Sequence, residues 1–328
     1  MEQGTFFILF VIFIAFLFDF INGFHDAANS IATIVTTGVL TPTQAVIWAA
    51  FFNFIAFLFF HLMVANTIGK DLIDLEIVDV PFLLSALLGA IFWNLLSWYY
   101  GIPSSSSHAL IGGLAGAALI KAGITSLKPA GFIKVGIGII ISPFLGLFVS
   151  LIITFFLKKT LLKQEEEHLK IFKIFQLISS AFLSITHGGN DAQKTMGIIA
   201  MVLFSAGWIG AHFYIPFWVV LSCQMVISLG TLAGGWRIVH TMGTKITKLN
   251  TFRGCAAEAG AASIIFTATE LGIPVSTTQT VTGSIAGVGL VTGTGGIHWP
   301  ILKVIFLTWL LTVPASALVS ALMYVTIR

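Results

Sequence analysis

The chain is 328 residues long; 57% of them are hydrophobic and only 9% charged, with 16 Lys and Arg against 13 Asp and Glu. Soluble domains carry about 25% charged residues, so a water-facing surface is excluded and a multi-pass protein with the lipid bilayer as its partner is expected. The net charge of +3 is spread over a few loops and forms no patch for nucleic acid, and Cys223 and Cys255 each lie alone in an apolar run, which argues against a disulfide framework or a cysteine metal site.

Met1 to Gly4 carry Glu2 and no Lys or Arg, so the first apolar run is expected to be a retained span and not a cleaved leader. Apolar runs of roughly the 20 residues that cross a bilayer fall at 5–21, 43–64, 81–100 and 131–157, and again at 171–185, 213–234, 254–271 and 301–327. Between them, Gly-, Ser- and Thr-rich stretches at 27–39, 108–121, 191–204 and 279–291 read as half-helices. Residues 158–173 hold five Lys, and 236–253 hold Arg237, Lys245, Lys248 and Arg253. The excess of Lys and Arg on cytoplasmic loops makes both segments cytoplasmic. The acidic stretch 66–80 then falls outside, which gives about five crossings per half in the inner (cytoplasmic) membrane of the cell.

The sequence repeats itself. Residues 101–119, which begin Gly-Ile-Pro-Ser-Ser-Ser-Ser-His, align without gaps with 272–290, which begin Gly-Ile-Pro-Val-Ser-Thr-Thr-Gln, and eight of 19 positions are identical. A weaker echo joins Gly23–Asn29 to Gly188–Lys194. An odd number of spans per half points the halves in opposite directions. The expected fold is therefore an all-α polytopic membrane protein of two inverted repeats, 1–157 and 174–328, joined by a cytoplasmic linker at 158–173. Its broken half-helices should meet at the midplane, the architecture of secondary transporters.

Non-helical backbone survives at membrane depth only around a cavity or ligand, so the Gly-Ile-Pro breaks call for a function. Each precedes a run of hydroxyls, Ser104, Ser105, Ser106 and Ser107 in the first half and Ser276, Thr277 and Thr278 in the second. Each run opens a half-helix whose free N–H groups and positive dipole end attract an anion. Two such ends face to face would form a neutral cradle of donors for a tetrahedral oxyanion. Asn22, Asp26 and Asn29 follow at i, i+4 and i+7 on one helical face. Asn190, Asp191 and Gln193 recur at what reads as a matching break in the second half. Carboxylates at this depth are functional suspects, and their hard oxygens suit sodium or, alternatively, a proton. Lys194 can pair with Asp191, Glu258 or Glu270. Glu258 and His25 are candidates for proton coupling, as are His108 and His187. Ser107 and His108, adjacent on a helix, point about 100° apart and do not form a nucleophile–base pair, so an enzyme is not expected.

Asn22–Ser30, Gly101–His108, His187–Gly197 and Pro274–Thr278 together resemble the signatures of the inorganic phosphate transporter family, the Pit-type phosphate permeases. The likeness runs through nearly the whole chain. It implies a homodimeric symporter that moves inorganic phosphate with sodium or protons and needs no further cofactor. Ser104, Ser105, Ser106, Ser107, Ser276, Thr277, Thr278, Asn29 and Gln193 would then hold phosphate, and Asn22, Asp26, Asn190 and Asp191 sodium. His25, Glu258 and Lys194 would serve coupling. A sulfate permease of the same superfamily is the alternative. His25 stands where the family often has Asn, and Gln279 where it often has His.

Overall fold

A computed structural model of the protein describes residues 2–161, 168–291 and 293–328, whose regular elements are all helices, with no β-strand among them. Residues 162–167, the middle of the expected linker, lie outside the described residues. The first half comprises α1 (Glu2–Thr36), α2 (Pro42–Ile55), α3 (Met63–Asn66), α4 (Val80–Tyr99), α5 (Ser106–Ala122) and α6 (Pro129–Leu161). The second repeats the series as α7 (His168–Ser205), α8 (Phe217–Ala233), α9 (Trp236–His240), α10 (Thr251–Glu270), α11 (Thr277–Leu290) and α12 (Trp299–Ile327). Among the described residues α1, α4, α6, α7 and α12 are long and apolar enough to cross a membrane. Two bent pairs, α2 with α3 and α8 with α9, add a broken span to each half.

Each half also contains a helical hairpin. Lys121 at the end of α5 forms an ion pair with Asp79, the N-cap of α4, so α4 and α5 begin and end on the same face. In the second half, Gly289 near the end of α11 lies against Thr247 just ahead of α10. The hairpins enter from opposite faces. The first half of α1, from Val11 to Ile21, packs with Phe82 at the start of α4 and Val202 near the end of α7. Its second half, from Ala28 to Ile34, packs with Ile238, Met242 and Ala256 on α9, the segment after it and α10. Two hydrophobic cores thus flank a central polar layer, and the halves are inverted.

The glycines of the half-helices explain how the halves interlock. A Cβ on Gly112 or Gly116 of α5 would lie 2.5 or 2.1 Å from carbonyl oxygens of α12. Gly283 and Gly287 of α11 meet α6 in the same way, at 2.1 and 2.2 Å. Small residues let helix backbones touch where the solvent gives no hydrophobic drive to association. Each hairpin is therefore seated on the last helix of the other half.

The Gly-Ile-Pro breaks lie where the sequence indicates, and Gly101 and Gly272 adopt φ +65° and +62°, a region other residues rarely enter. The expected breaks at Asp26 and Asp191 do not occur, because α1 and α7 run through both motifs as continuous helices of 35 and 38 residues. Gly23 and Gly188 instead allow close approach to the Ile227 and Asn53 carbonyls, and the polar side chains reach across to other helices without disturbing their own backbone. The additional breaks fall within the second span of each half, which bends by 76° between α2 and α3 and by 64° between α8 and α9.

Candidate functional site

The first turns of α5 and α11 meet in the polar layer. Ser105 caps α5 by accepting from His108 N at 3.2 Å, and Ser276 caps α11 by accepting from Gln279 N at 3.1 Å. These two expected phosphate ligands are therefore capping residues, as a helix start that leaves backbone N–H groups unpaired requires. The next hydroxyls point inward. Ser106 Oγ lies 2.6 Å from Asn22 Oδ1 and 2.8 Å from Asp26 Oδ2, so its proton can serve either. Thr278 Oγ1 lies 3.3 Å from Asp26 Oδ1, and Thr277 Oγ1 lies 3.3 Å from Asp191 Oδ2. The Asn29 amide donates to both threonines, at 3.2 and 3.0 Å. At the contact between the tips, Ser107 donates to Val275 O at 3.2 Å, and His108 Nδ1 lies 3.3 Å from Gln279 Nε2. Ser107 and His108 thus point to different partners, as their adjacency on a helix dictates.

The long helices carry the charges through this junction. His25 bridges Asp26 (Nδ1 to Oδ1, 2.6 Å) and Ser97 (Nε2 to Oγ, 3.0 Å), and Ser104 donates to the same Ser97 at 2.8 Å. Ser104 therefore acts through His25 and does not face the cradle. On α7, Lys194 reaches Asp191 Oδ1 at 2.5 Å, Ser107 Oγ, and Val275 O at 3.3 Å. The cradle expected to be neutral consequently has an ammonium at its centre. Of the partners open to Lys194, it takes Asp191.

Asp26, Asp191 and His187 offer ligand atoms that all lie within 4.8 Å of one another, and all three side chains are buried. Asn29 Oδ1, on the side chain that reaches Thr277 and Thr278, is buried with no hydrogen-bond partner, a loss of roughly 1–3 kcal/mol unless something coordinates it. Carboxylate and amide oxygens around an imidazole nitrogen suit a small cation carried as cargo.

Three expected residues lie elsewhere. Gln193 accepts from Ala65 N and donates to His61 O, at 3.1 and 2.9 Å, and so braces the bend between α2 and α3. Asn190 donates to Thr269 of α10 at 2.8 Å. Glu258 forms a separate buried cluster, accepting from Thr33 at 2.5 Å, Gln176 at 3.0 Å and Ser179 at 2.5 Å. Ser97, Thr269 and Thr277's bridge to Asp191 were not legible as site features, because a hydroxyl in an apolar span more often returns to its own helix carbonyl.

A further pair of contacts supports the tips from behind. Thr67 Oγ1 donates to Gly272 O, and Thr241 Oγ1 donates to Gly101 O, both at 2.8 Å. In each case the segment after the bend of one half holds the break of the other.

Two interrupted half-helices presented to each other by inverted repeats, with carboxylates between them, form the kind of site found in membrane transporters. The chain belongs to the phosphate transporter family, whose model matches residues 22–170 and 161–320, one stretch in each half. It is 54% identical to a probable low-affinity inorganic phosphate transporter of Rhizobium meliloti, across 96% of this chain and 94% of that one. A protein of Bacillus subtilis with the same description is 45% identical, across 96% and 95%. Among solved structures, one titled the sodium-dependent phosphate transporter superposes with a TM-score of 0.87 at 28% identity and covers 98% of both chains. These relatives are transporters, not enzymes.

Proposed function

We propose that the protein is a symporter that brings inorganic phosphate across the cytoplasmic membrane with sodium, by alternating exposure of the junction between the two hairpin tips. The observation that carries this reading is the convergence of Asp26, Asp191 and His187 on two facing helix N-termini. Two carboxylates, Asp26 and Asp191, share this cluster with one lysine, Lys194, so carboxylates exceed lysines by one formal negative charge. An anion entering it first would be repelled in a poorly screened interior, whereas a sodium ion bound first removes that charge and leaves the N–H and O–H donors free for phosphate. Ser106, Ser107, Thr277 and Thr278 then hold phosphate, while Asn22, Asp26, Asn29 and Asp191 serve the cation. Proton coupling through His25 or the Glu258 cluster is the second reading for the driving ion, favoured by the His25–Asp26 contact at 2.6 Å.

Phosphate is favoured over sulfate because its remaining proton can be donated to Asp26 or Asp191, whereas sulfate would bring only acceptor oxygens towards those carboxylates. The end of α1 and the start of α7 share one face through Thr37 and Gln176, 2.9 Å apart, and Gly243 packs on Thr36 at that face. Residues 168–173 and the segment 236–253 therefore share it, and their Lys and Arg support a cytoplasmic orientation. The homodimer is a proposal from the family resemblance, to be checked by molecular mass in detergent.

The test is uptake by Asp26→Asn and Asp191→Asn. Both should lose sodium-driven phosphate uptake by about 100-fold or more while the folded protein stays in the membrane. Full uptake by either would overturn the reading.

A further inference from the structure

The two repeats place different residues at equivalent points beside the junction. In the motifs Gly23–Asn29 and Gly188–Lys194, Asn29 corresponds to Lys194. Both side chains are buried and both reach the hairpin tips. Asn29 is neutral and touches only the second tip, through Thr277 and Thr278. Lys194 touches both tips, through Ser107 of the first and Val275 O of the second, and also holds Asp191. Its three ammonium protons are thus matched by three acceptors, two of which are the kind of oxygen that a sodium ion would use.

We infer that Lys194 is a resident cation: its ammonium competes with the transported cation for Asp191, and when that cation binds it turns its charge towards phosphate. This rests on the reading of the junction as a sodium and phosphate site. Several features support it. Lys194 is an ammonium at the end of a flexible four-carbon stem, so it can leave Asp191 without a movement of α7. Its donors already reach Ser107, a hydroxyl at the first turn of α5 where an anion would sit. Lys194 bonds Ser107 and Val275 O as well as Asp191, so it stands at the contact between the two tips, which Ser107 also makes directly by donating to Val275 O. The first repeat has no such ammonium at Asn29, and Asp26 is served there by His25, Ser106 and Thr278. The two carboxylates are therefore unequal: Asp191 is met by a lysine, whereas Asp26 is met by an imidazole and two hydroxyls.

The test is equilibrium binding of radioactive sodium to purified protein without phosphate, followed by phosphate binding at saturating sodium. Lys194→Met should bind sodium at least tenfold more tightly than the wild type and phosphate at least tenfold more weakly. Lys194→Arg, which keeps the charge, should remain within about threefold of wild type for sodium. Lys194→Gln keeps a donor towards Ser107 and should follow the Met variant; it carries the test if a thermal melt shows the Met variant unfolded. Sodium affinity that is unchanged or reduced in the folded neutral variants would overturn the inference. The outcome is distinct from that of the site reading, which depends on Asp191→Asn abolishing sodium binding in the otherwise wild-type protein. If the wild type binds no sodium, the site reading fails and the inference fails with it, whatever Lys194→Met does. If neither binds, both claims fail.

Discussion

The two halves of the molecule agree in skeleton and differ in content. Ser105 and Ser276 cap equivalent helices, Gly101 and Gly272 turn equivalent breaks, and Thr67 and Thr241 hold the opposite half's break with the same 2.8 Å bond. Pro143 and Pro314 lie inside the last helix of each half at matching positions. Inside the junction the match ends. His25 corresponds to Asn190, Asn29 to Lys194 and His108 to Gln279. Backbone features recur because either half must build the same hairpin and the same inverted packing. On the proposed reading, side chains at the junction diverge because one compartment serves two unlike ions, and a fully symmetric set would serve only one of them.

That comparison can be broken most severely at the glycine stripes. Gly116→Leu and Gly287→Leu each force a side chain into a carbonyl about 2 Å from the Cβ position, and each should abolish folded protein in the membrane, as judged by monodispersity in detergent. The effect should be equally large in both halves. Substitution of the hydroxyls that meet Asp26 should act next most strongly. A hydrogen bond to a charged group contributes about 1.5–3 kcal/mol, so Ser106→Ala or Thr278→Val should raise the phosphate concentration for half-maximal uptake by about tenfold or more. Unchanged values would assign these hydroxyls to helix structure alone.

The threonine contacts sharpen the symmetry from another side. Thr67→Val releases the second hairpin and Thr241→Val the first, each at a cost of about 1 kcal/mol. They should shift the balance between inward- and outward-open forms in opposite directions by about fivefold, read by thiol labelling of cysteines introduced at either face. A shift in the same direction would contradict the inverted roles of the hairpins. The smallest change in transport is expected for the caps: Ser105→Ala and Ser276→Ala should cost about 1 kcal/mol of stability each, seen as a lower melting temperature, and alter uptake less than Ser106→Ala does.

Much of this arrangement was legible in the sequence because it depends on residues with few other uses. Glycine followed by Ile-Pro in an apolar run signals a break, and a second copy in the other half signals a paired one. The face formed by Asn22, Asp26 and Asn29 followed from helical spacing, and the structure puts all three at the hairpin tips. The continuity of α1 and α7 was not legible, because Gly-rich polar motifs look alike whether a helix breaks there or packs closely. Gln193 and Lys194 show the same limit for side chains. They are neighbours on one helix, about 100° apart, and spacing alone does not decide which of them faces the junction. The bend at Gly234 and Gly235 had a signal in the glycine pair. The bend between Ile55 and Met63 had only His61 within an apolar run.

The central claim is that the junction couples phosphate to sodium. It is tested most directly by labelled-phosphate uptake into proteoliposomes at fixed pH, under an inward sodium gradient or an inward proton gradient, with excess sulfate as competitor. The account predicts uptake that requires sodium and is indifferent to sulfate. Uptake driven equally well by protons without sodium would contradict it and move coupling to His25 and the carboxylates, and full competition by sulfate would contradict its phosphate selectivity.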